Sequence, residues 1–188
     1  MKIILASNSP RRKELLAGLE LEFEVRTMSG IDESYPDELR GEDIPIYISR
    51  QKAKAYLPTL ADDELLITAD TIVYLDHVVL GKPANRDEAI HMLKALSGRQ
   101  HDVITGVTLT TKQKSLSFAS TTHVEFAQLS DADINHYVDV YRPFDKAGAY
   151  GIQEWIGYIG VRSIQGSYFN VMGLPVQRLS EALKQMNK

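Results

Sequence analysis

The chain of 188 residues has no cysteine. A thiolate nucleophile, a zinc–thiolate centre and a disulfide framework are therefore excluded. Its five histidines, His77, His91, His101, His123 and His136, are scattered without metal-ligand spacing. No apolar run approaches the length of a membrane span. The N-terminal run Met1-Lys2-Ile3-Ile4-Leu5-Ala6 meets Ser7-Asn8-Ser9-Pro10 too soon for a signal-peptide core. Positive charge is not in excess: 21 Lys and Arg stand against 25 Asp and Glu, a net charge of −4. Bulk DNA or RNA thus has no electrostatic reason to bind stably. There is no Walker A, Gly-x-Gly-x-x-Gly or Gly-x-Ser-x-Gly pattern, so P-loop, Rossmann and hydrolase-elbow readings lose their usual support. These absences lead us to expect a soluble cytoplasmic protein, not bound to membrane, forming one domain over residues 1–188.

Hydrophobic residues make up 44% of the chain, enough for a core of its own. Lys2 to Ala6 reads as a buried strand, and Ser9-Pro10 as a helix start with Ser at the N-cap and Pro at the first helical position. Gly18 stops that helix. Leu21 to Val25 reads as a strand, Thr27 to Arg40 as a polar loop and Glu42 to Leu57 as a helix. Two β-rich runs, Leu65 to Ala69 and Thr71 to Leu80, flank Asp70. Arg86 to Leu96 is amphipathic. Asp102 to Thr111 and Leu116 to Gln128 read as strands joined at Lys112-Gln113-Lys114. Ser130 and Asp133 form a capping-box pattern that opens a helix to about Tyr141. A glycine-punctuated loop from Pro143 to Gly151, a strand from Tyr158 to Ile164 and a helix from Leu174 to Met186 complete the chain. The class is mixed α/β (α+β) around a mixed sheet.

Four constellations carry chemistry. In Ser7-Asn8-Ser9-Pro10-Arg11-Arg12, two arginines fall in the first helical turn, where the helix dipole disfavours cations. A bound polyphosphate would justify them there, with Ser7 and Ser9 lining the turn; arginines pointing into water fit the same pattern. Asp70, in Thr68-Ala69-Asp70-Thr71, is an acid among β-branched residues. It reads as a cation ligand, a general base or the partner of a cationic side chain, or otherwise as a turn residue. Glu33 is a candidate second carboxylate for magnesium, or a solvated loop acid. Lys52, amid small residues, and Lys82, between Gly81 and Pro83, are point charges suited to phosphate, although each alone also reads as solvated. In the stretch Phe144 to Gln153, small residues allow close approach, and Gln153 offers a donor and an acceptor to a base edge or simply to solvent. Arg99 reads as a phosphate contact or as a helix-end residue.

Taken together, these stretches resemble the Maf family of nucleotide pyrophosphatases. The matching residues are Ala6 to Arg12, Thr68 to Thr71, Gly81 to Pro83, Ser97 to Arg99, Ile104 to Val107, Asp145 to Gln153 and Asn170 to Pro175, in family order. The resemblance implies an elongated, bent mixed sheet flanked by helices, with two lobes, a central cleft and kinship to the inosine triphosphate pyrophosphatases. It also implies cleavage of a nucleoside triphosphate to the monophosphate and pyrophosphate, a divalent cation (Mg²⁺ or Mn²⁺) and a homodimer. The family's catalytic acid falls on Asp70, and its specificity positions fall on Arg12, Thr71 and Gln153. Phosphate contacts are expected from Ser7, Ser9, Arg11, Arg12, Lys52 and Lys82, and metal contacts from Asp70 and Glu33. Thr71 and Gln153 resemble the branch acting on dTTP and UTP. The same chemistry on 7-methyl-GTP, and a nucleotide-sensing cell-division regulator without turnover, are the alternatives. Glu154 stands where the family pattern suggests glycine, and Arg142 where an acid is common.

Overall fold

The computed structural model describes residues 1–186. Its strands form one seven-stranded mixed sheet in the order β2-β1-β3-β5-β6-β7, with β4 also paired to β3. β1 (Lys2–Leu5) lies between two parallel neighbours, β2 (Phe23–Val25) and β3 (Glu64–Leu75). This position explains its unbroken apolar run, because a parallel strand is covered on both faces; Ile4 and Leu5 are fully buried.

The chain divides into two compact units. The first comprises Met1–Thr71, Thr105–Ser120 and the segment from Gly173 onward. It holds α1 (Pro10–Ala17), α2 (Asp43–Tyr56) and α7 (Val176–Met186). In α7 the buried side chains are Leu179, Ala182, Leu183 and Met186, a single helical stripe. α2 packs Ala53 and Tyr56 with Ile4, Leu60 and Leu66. Polar bonds hold the same helix to strand residues. Thr68 donates to the Ser49 carbonyl at 2.7 Å, and the Ser49 and Thr108 hydroxyls lie 2.8 Å apart. Gly106 permits this contact, since a Cβ there would meet the Pro45 carbonyl carbon at 2.3 Å.

The second unit comprises Ile72–Ile104 and Thr121–Met172. It holds β4 (Val78–Leu80), α3 (Arg86–Leu96), α4 (Asp131–Tyr141), α5 (Trp155–Gly160), β7 (Val161–Gln165) and α6 (Tyr168–Met172). Of the two remaining strands, β5 (Gln100–Thr110) enters this unit with its first half and β6 (Ser115–Phe126) with its second. Its core gathers Ala89, Leu93 and Leu96 of α3, Ile134, Tyr137 and Val138 of α4, and Val124 and Phe126 of β6. The capping box at Ser130 and Asp133 is formed in full.

The structure departs from the sequence reading in four places. Asp70 does not separate two strands: β3 runs through it without a break, because its carboxylate finds a cation in place. The run from Thr71 to Leu80 is instead broken at Asp76 and His77, both at positive φ (51° and 66°), which turn β3 back onto β4. The expected strand from Tyr158 begins only at Val161, since Trp155–Gly160 is helical. α6 was not foreseen at all, as five residues carry too little periodicity to read. No helix among the described residues is long and apolar enough to cross a membrane.

His101, on β5, is 2% exposed and lies edge-on to Phe126 and Tyr150, with Nε2 2.7 Å from the Tyr150 hydroxyl. Burial pushes its pKa down from 6.5 to about 4. The unfolded chain therefore takes up a proton over this window that the folded chain refuses. The contribution is whole above the unfolded value and is lost as pH falls toward the folded one. We expect the wild type to lose on the order of 3 kcal/mol between about pH 7 and about pH 4 from this group alone. Urea unfolding across that range should show a flatter profile for His101→Gln; equal slopes would remove His101 from the acid sensitivity.

Candidate active site

The turn before α1 is ordered by its own hydroxyls. Ser7 Oγ accepts the Ser9 amide at 3.1 Å, and Ser9 Oγ accepts the Arg12 amide at 3.4 Å. Each serine, acting as acceptor, keeps a hydroxyl proton to donate to a ligand. The backbone offers less: Pro10 has no N–H, and the Arg12 N–H belongs to the cap. An anion at this helix end would therefore rely on hydroxyls and side chains.

Arg12 does not point into water. Its Nε donates to the Gly173 carbonyl at 2.8 Å, Nη1 to the Ala69 carbonyl at 3.0 Å and Nη2 to the Thr71 hydroxyl at 3.0 Å. One planar fork thus ties α1, β3 and the turn before α7, the kind of directed contact a lysine cannot copy. Burial pulls its pKa below the usual arginine value, and the nearby Asp70 charge acts against that shift. Thr71 Oγ1 lies 2.9 Å from Thr105 Oγ1 in turn.

Lys52 projects from α2 into an acceptor set. Nζ lies 2.9 Å from Asp70 Oδ1, 2.9 Å from Glu33 Oε1 and 3.4 Å from the Ala69 carbonyl. The side chains of Lys52 and Asp70 are 13% and 14% exposed, that of Glu33 52%. The loop carrying Glu33 thus brings its carboxylate to the ammonium that Asp70 already holds. Among the described residues, no three His, Cys, Asp or Glu side chains cluster as a metal cage. The two carboxylates share one cation, so the donor set suits an ion that takes its remaining ligands from phosphate and water.

Lys82 and Gln153 belong to the second unit. Lys82 is exposed, and its turn is joined to the glycine-rich loop by the Gly148 amide, which donates to the Gly81 carbonyl at 3.0 Å. Gly148 has φ 67°, and a Cβ there would meet Val73 Cγ2 at 2.8 Å. Gln153 Oε1 is buried with no hydrogen-bond partner. A buried acceptor left this way is costly unless a ligand supplies a donor.

Comparisons with known proteins give the family. The family model described as "Maf-like protein" matches residues 2–186. The dTTP/UTP pyrophosphatase of Phocaeicola vulgatus is 64% identical over 98% of this chain and 96% of its own. That of Parabacteroides distasonis is 63% identical over 97% and 95%. The chain belongs to the Maf family. Among solved structures, the Staphylococcus aureus Ham1 protein matches at 16% identity with a TM-score of 0.54, covering 100% of both chains. That likeness shows the Maf fold to be shared with Ham1.

Within this Maf chain the two local departures have structural work. Arg142 caps α4 at φ 47° and lies over the Phe144 ring at 5.4 Å. The Glu154 carboxylate accepts from the Tyr137 hydroxyl and lies 3.2 Å from Lys146 Nζ. The Gly151 amide donates to the same Tyr137 oxygen at 3.0 Å. Glu154 thereby anchors the loop that ends in Gln153. Arg99 pairs with Asp76 at the surface. Sequence reasoning missed Thr105, Tyr137 and Lys146. Thr105 and Lys146 lie inside stretches that match the family, but nothing in their spacing marks a bond to Thr71 or Glu154.

If Arg12 is the clamp that these bonds describe, Arg12→Lys will keep the charge and lose the fork. We expect a loss of about 2–4 kcal/mol in unfolding free energy, since acceptors are left buried and unpaired. An unchanged thermal midpoint would mean that Arg12 serves a ligand alone.

Proposed function

We propose that this chain hydrolyses nucleoside triphosphates, dTTP and UTP foremost, to the monophosphate and pyrophosphate. The observation that carries this reading is the Lys52 ammonium held 2.9 Å from both Asp70 and Glu33, in the unit that also fixes Arg12. High identity to relatives named dTTP/UTP pyrophosphatase supports the substrate class.

The chemistry is attack of water on the α-phosphorus, with pyrophosphate leaving. Asp70 presents Oδ1 to Lys52 and uses its other oxygen to orient the water and take its proton. Ser7, Ser9 and Arg11 meet the polyphosphate at the start of α1, and Lys82 adds a point charge to the phosphates. Arg12, whose fork is occupied on three sides, holds Thr71 in place as well as adding positive potential. Lys52 bridges the two carboxylates. Asp70 and Glu33 would hold a divalent metal, Mg²⁺ or Mn²⁺, which would supply charge neutralisation, and Lys52 would then serve the phosphates. Thr71 meets a pyrimidine ring with an N–H flanked by carbonyls, as uracil and thymine have, and Gln153, in the second unit, is a further specificity residue through its amide.

We further propose a cytoplasmic homodimer that does not hold nucleic acid. An exposed aromatic group supports the dimer: Tyr158 is 84% exposed, Phe169 48% and Tyr168 40%. In light scattering, the wild type should run as a dimer and Tyr158→Asp with Phe169→Asp as a monomer; a monomeric wild type overturns this.

A pyrophosphate-release panel tests the activity. UTP and dTTP should turn over fastest with Mg²⁺ or Mn²⁺, and chelation should stop them. Asp70→Asn should fold normally and lose about 10²–10⁴-fold in rate. A preference for 7-methyl-GTP would move the chain to that substrate. No release from any triphosphate would leave a nucleotide sensor, and an Asp70→Asn variant as fast as the wild type would remove Asp70 from the chemistry.

A further inference from the structure

Thr105 carries no role in the reaction outlined above. It lies on β5 with 0% exposure, and its hydroxyl oxygen is 2.9 Å from that of Thr71. Thr71 is only half-buried, so a ligand can reach it. Thr71 also accepts Arg12 Nη2–H at 3.0 Å, and that guanidinium is pinned by the Gly173 and Ala69 carbonyls.

A hydroxyl has one proton and two lone pairs. Arginine in a protein does not give up its proton, so Arg12 always occupies one lone pair of Thr71. One proton and one lone pair remain, for Thr105 and for a ligand. Whichever Thr71 gives to Thr105, the ligand meets the other. A Thr71 that donates to Thr105 is a pure acceptor toward the ligand, and one that accepts from Thr105 is a pure donor. Uracil and thymine carry an N–H at N3, whereas cytosine carries a bare lone pair there.

We propose that Thr105 is a positioning residue for base selection: it takes the Thr71 proton, so that Thr71 meets the ring N–H of uracil or thymine as an acceptor. This rests on the reading that Thr71 touches the base. Without the Thr105 oxygen, the Thr71 proton has no protein acceptor on that side and turns toward the ligand. There it opposes N3–H and suits the N3 lone pair of cytosine. The buried setting of Thr105 leaves no bulk water to stand in for the lost oxygen.

The test is kcat/KM for UTP, dTTP and CTP in Thr105→Val, Thr105→Ser and Thr71→Val, together with 3-methyl-UTP on the wild type. Thr105→Val keeps shape and removes the hydroxyl. We expect its UTP-to-CTP ratio to fall by about tenfold or more, and Thr105→Ser to restore the ratio. Thr71→Val should lower the ratio as well, and wild type should process 3-methyl-UTP poorly because its ring N–H is gone. An unchanged ratio in Thr105→Val beside a lowered one in Thr71→Val overturns the role of Thr105 alone. An equal loss on all three triphosphates in Thr105→Val also overturns it, as the mark of a packing defect. An unchanged ratio in Thr71→Val, or 3-methyl-UTP used as well as UTP, instead overturns the reading of Thr71 on which the inference stands. Should Thr105→Val fail to fold, Thr105→Ala takes its place with the same expectations.

Discussion

Asp70 stands in the middle of β3 with its side chain 14% exposed, where an unpaired carboxylate would cost several kcal/mol. Lys52 makes that placement tolerable, so much of the first unit serves to keep Lys52 where it is. α2 is seated by Ala53 and Tyr56 in the core, by the Thr68 and Thr108 hydroxyl contacts to Ser49, and by the missing side chain at Gly106. These contacts flank Lys52 along α2 and touch no reacting group. They matter to chemistry because a shift of α2 would leave two carboxylates facing each other without a cation.

The same cluster sets the electrical terms for a substrate. A triphosphate brings several negative charges toward Asp70 and Glu33, which repel it, and one ammonium shared between two carboxylates has little attraction left to give. In the proposed reaction, Arg11 and an added divalent ion would supply what Lys52 cannot. This is the physical ground for proposing a metal where only two carboxylates converge. A complete protein cage would bind the ion without substrate, whereas an incomplete one ties ion and phosphate together.

The sequence showed the elements with strong local signals. Ser9-Pro10 capped a helix, the Ser130–Asp133 box formed, and the amphipathic run Arg86 to Leu96 became α3. It failed where a long-range partner overrides local preference. Asp70 looked like a strand boundary because, although a cationic partner is one of its readings, nothing local points to Lys52, 18 positions away. Asp76 and His77 turn the chain without glycine, and Asp76 beside His77 is a weaker hairpin signal than Asp-Gly or Asn-Gly. Of the site, the charged and motif-bearing residues were legible, since their types are unusual in their contexts. Thr105 and Tyr137 were not: threonine in a strand and tyrosine on an apolar helix face are ordinary, and only their hydrogen bonds give them meaning.

If Gln153 reads the base, as proposed, Glu154 lets selectivity rest on a group that never meets it. Its carboxylate, between Tyr137 and Lys146, fixes the backbone just beyond Gln153, while the Gly151 amide fixes it just before. A glutamine on a free loop can flip its amide and pair with cytosine as readily as with uracil. One whose backbone is held on both sides and whose oxygen is buried has fewer ways to adapt. Rejection then comes from polar atoms that cannot rearrange, because the wrong base leaves them unpaired. Arg12 does for Thr71 what Glu154 does for Gln153. Each uses a charged side chain, satisfied by the protein itself, to make a neutral neighbour rigid.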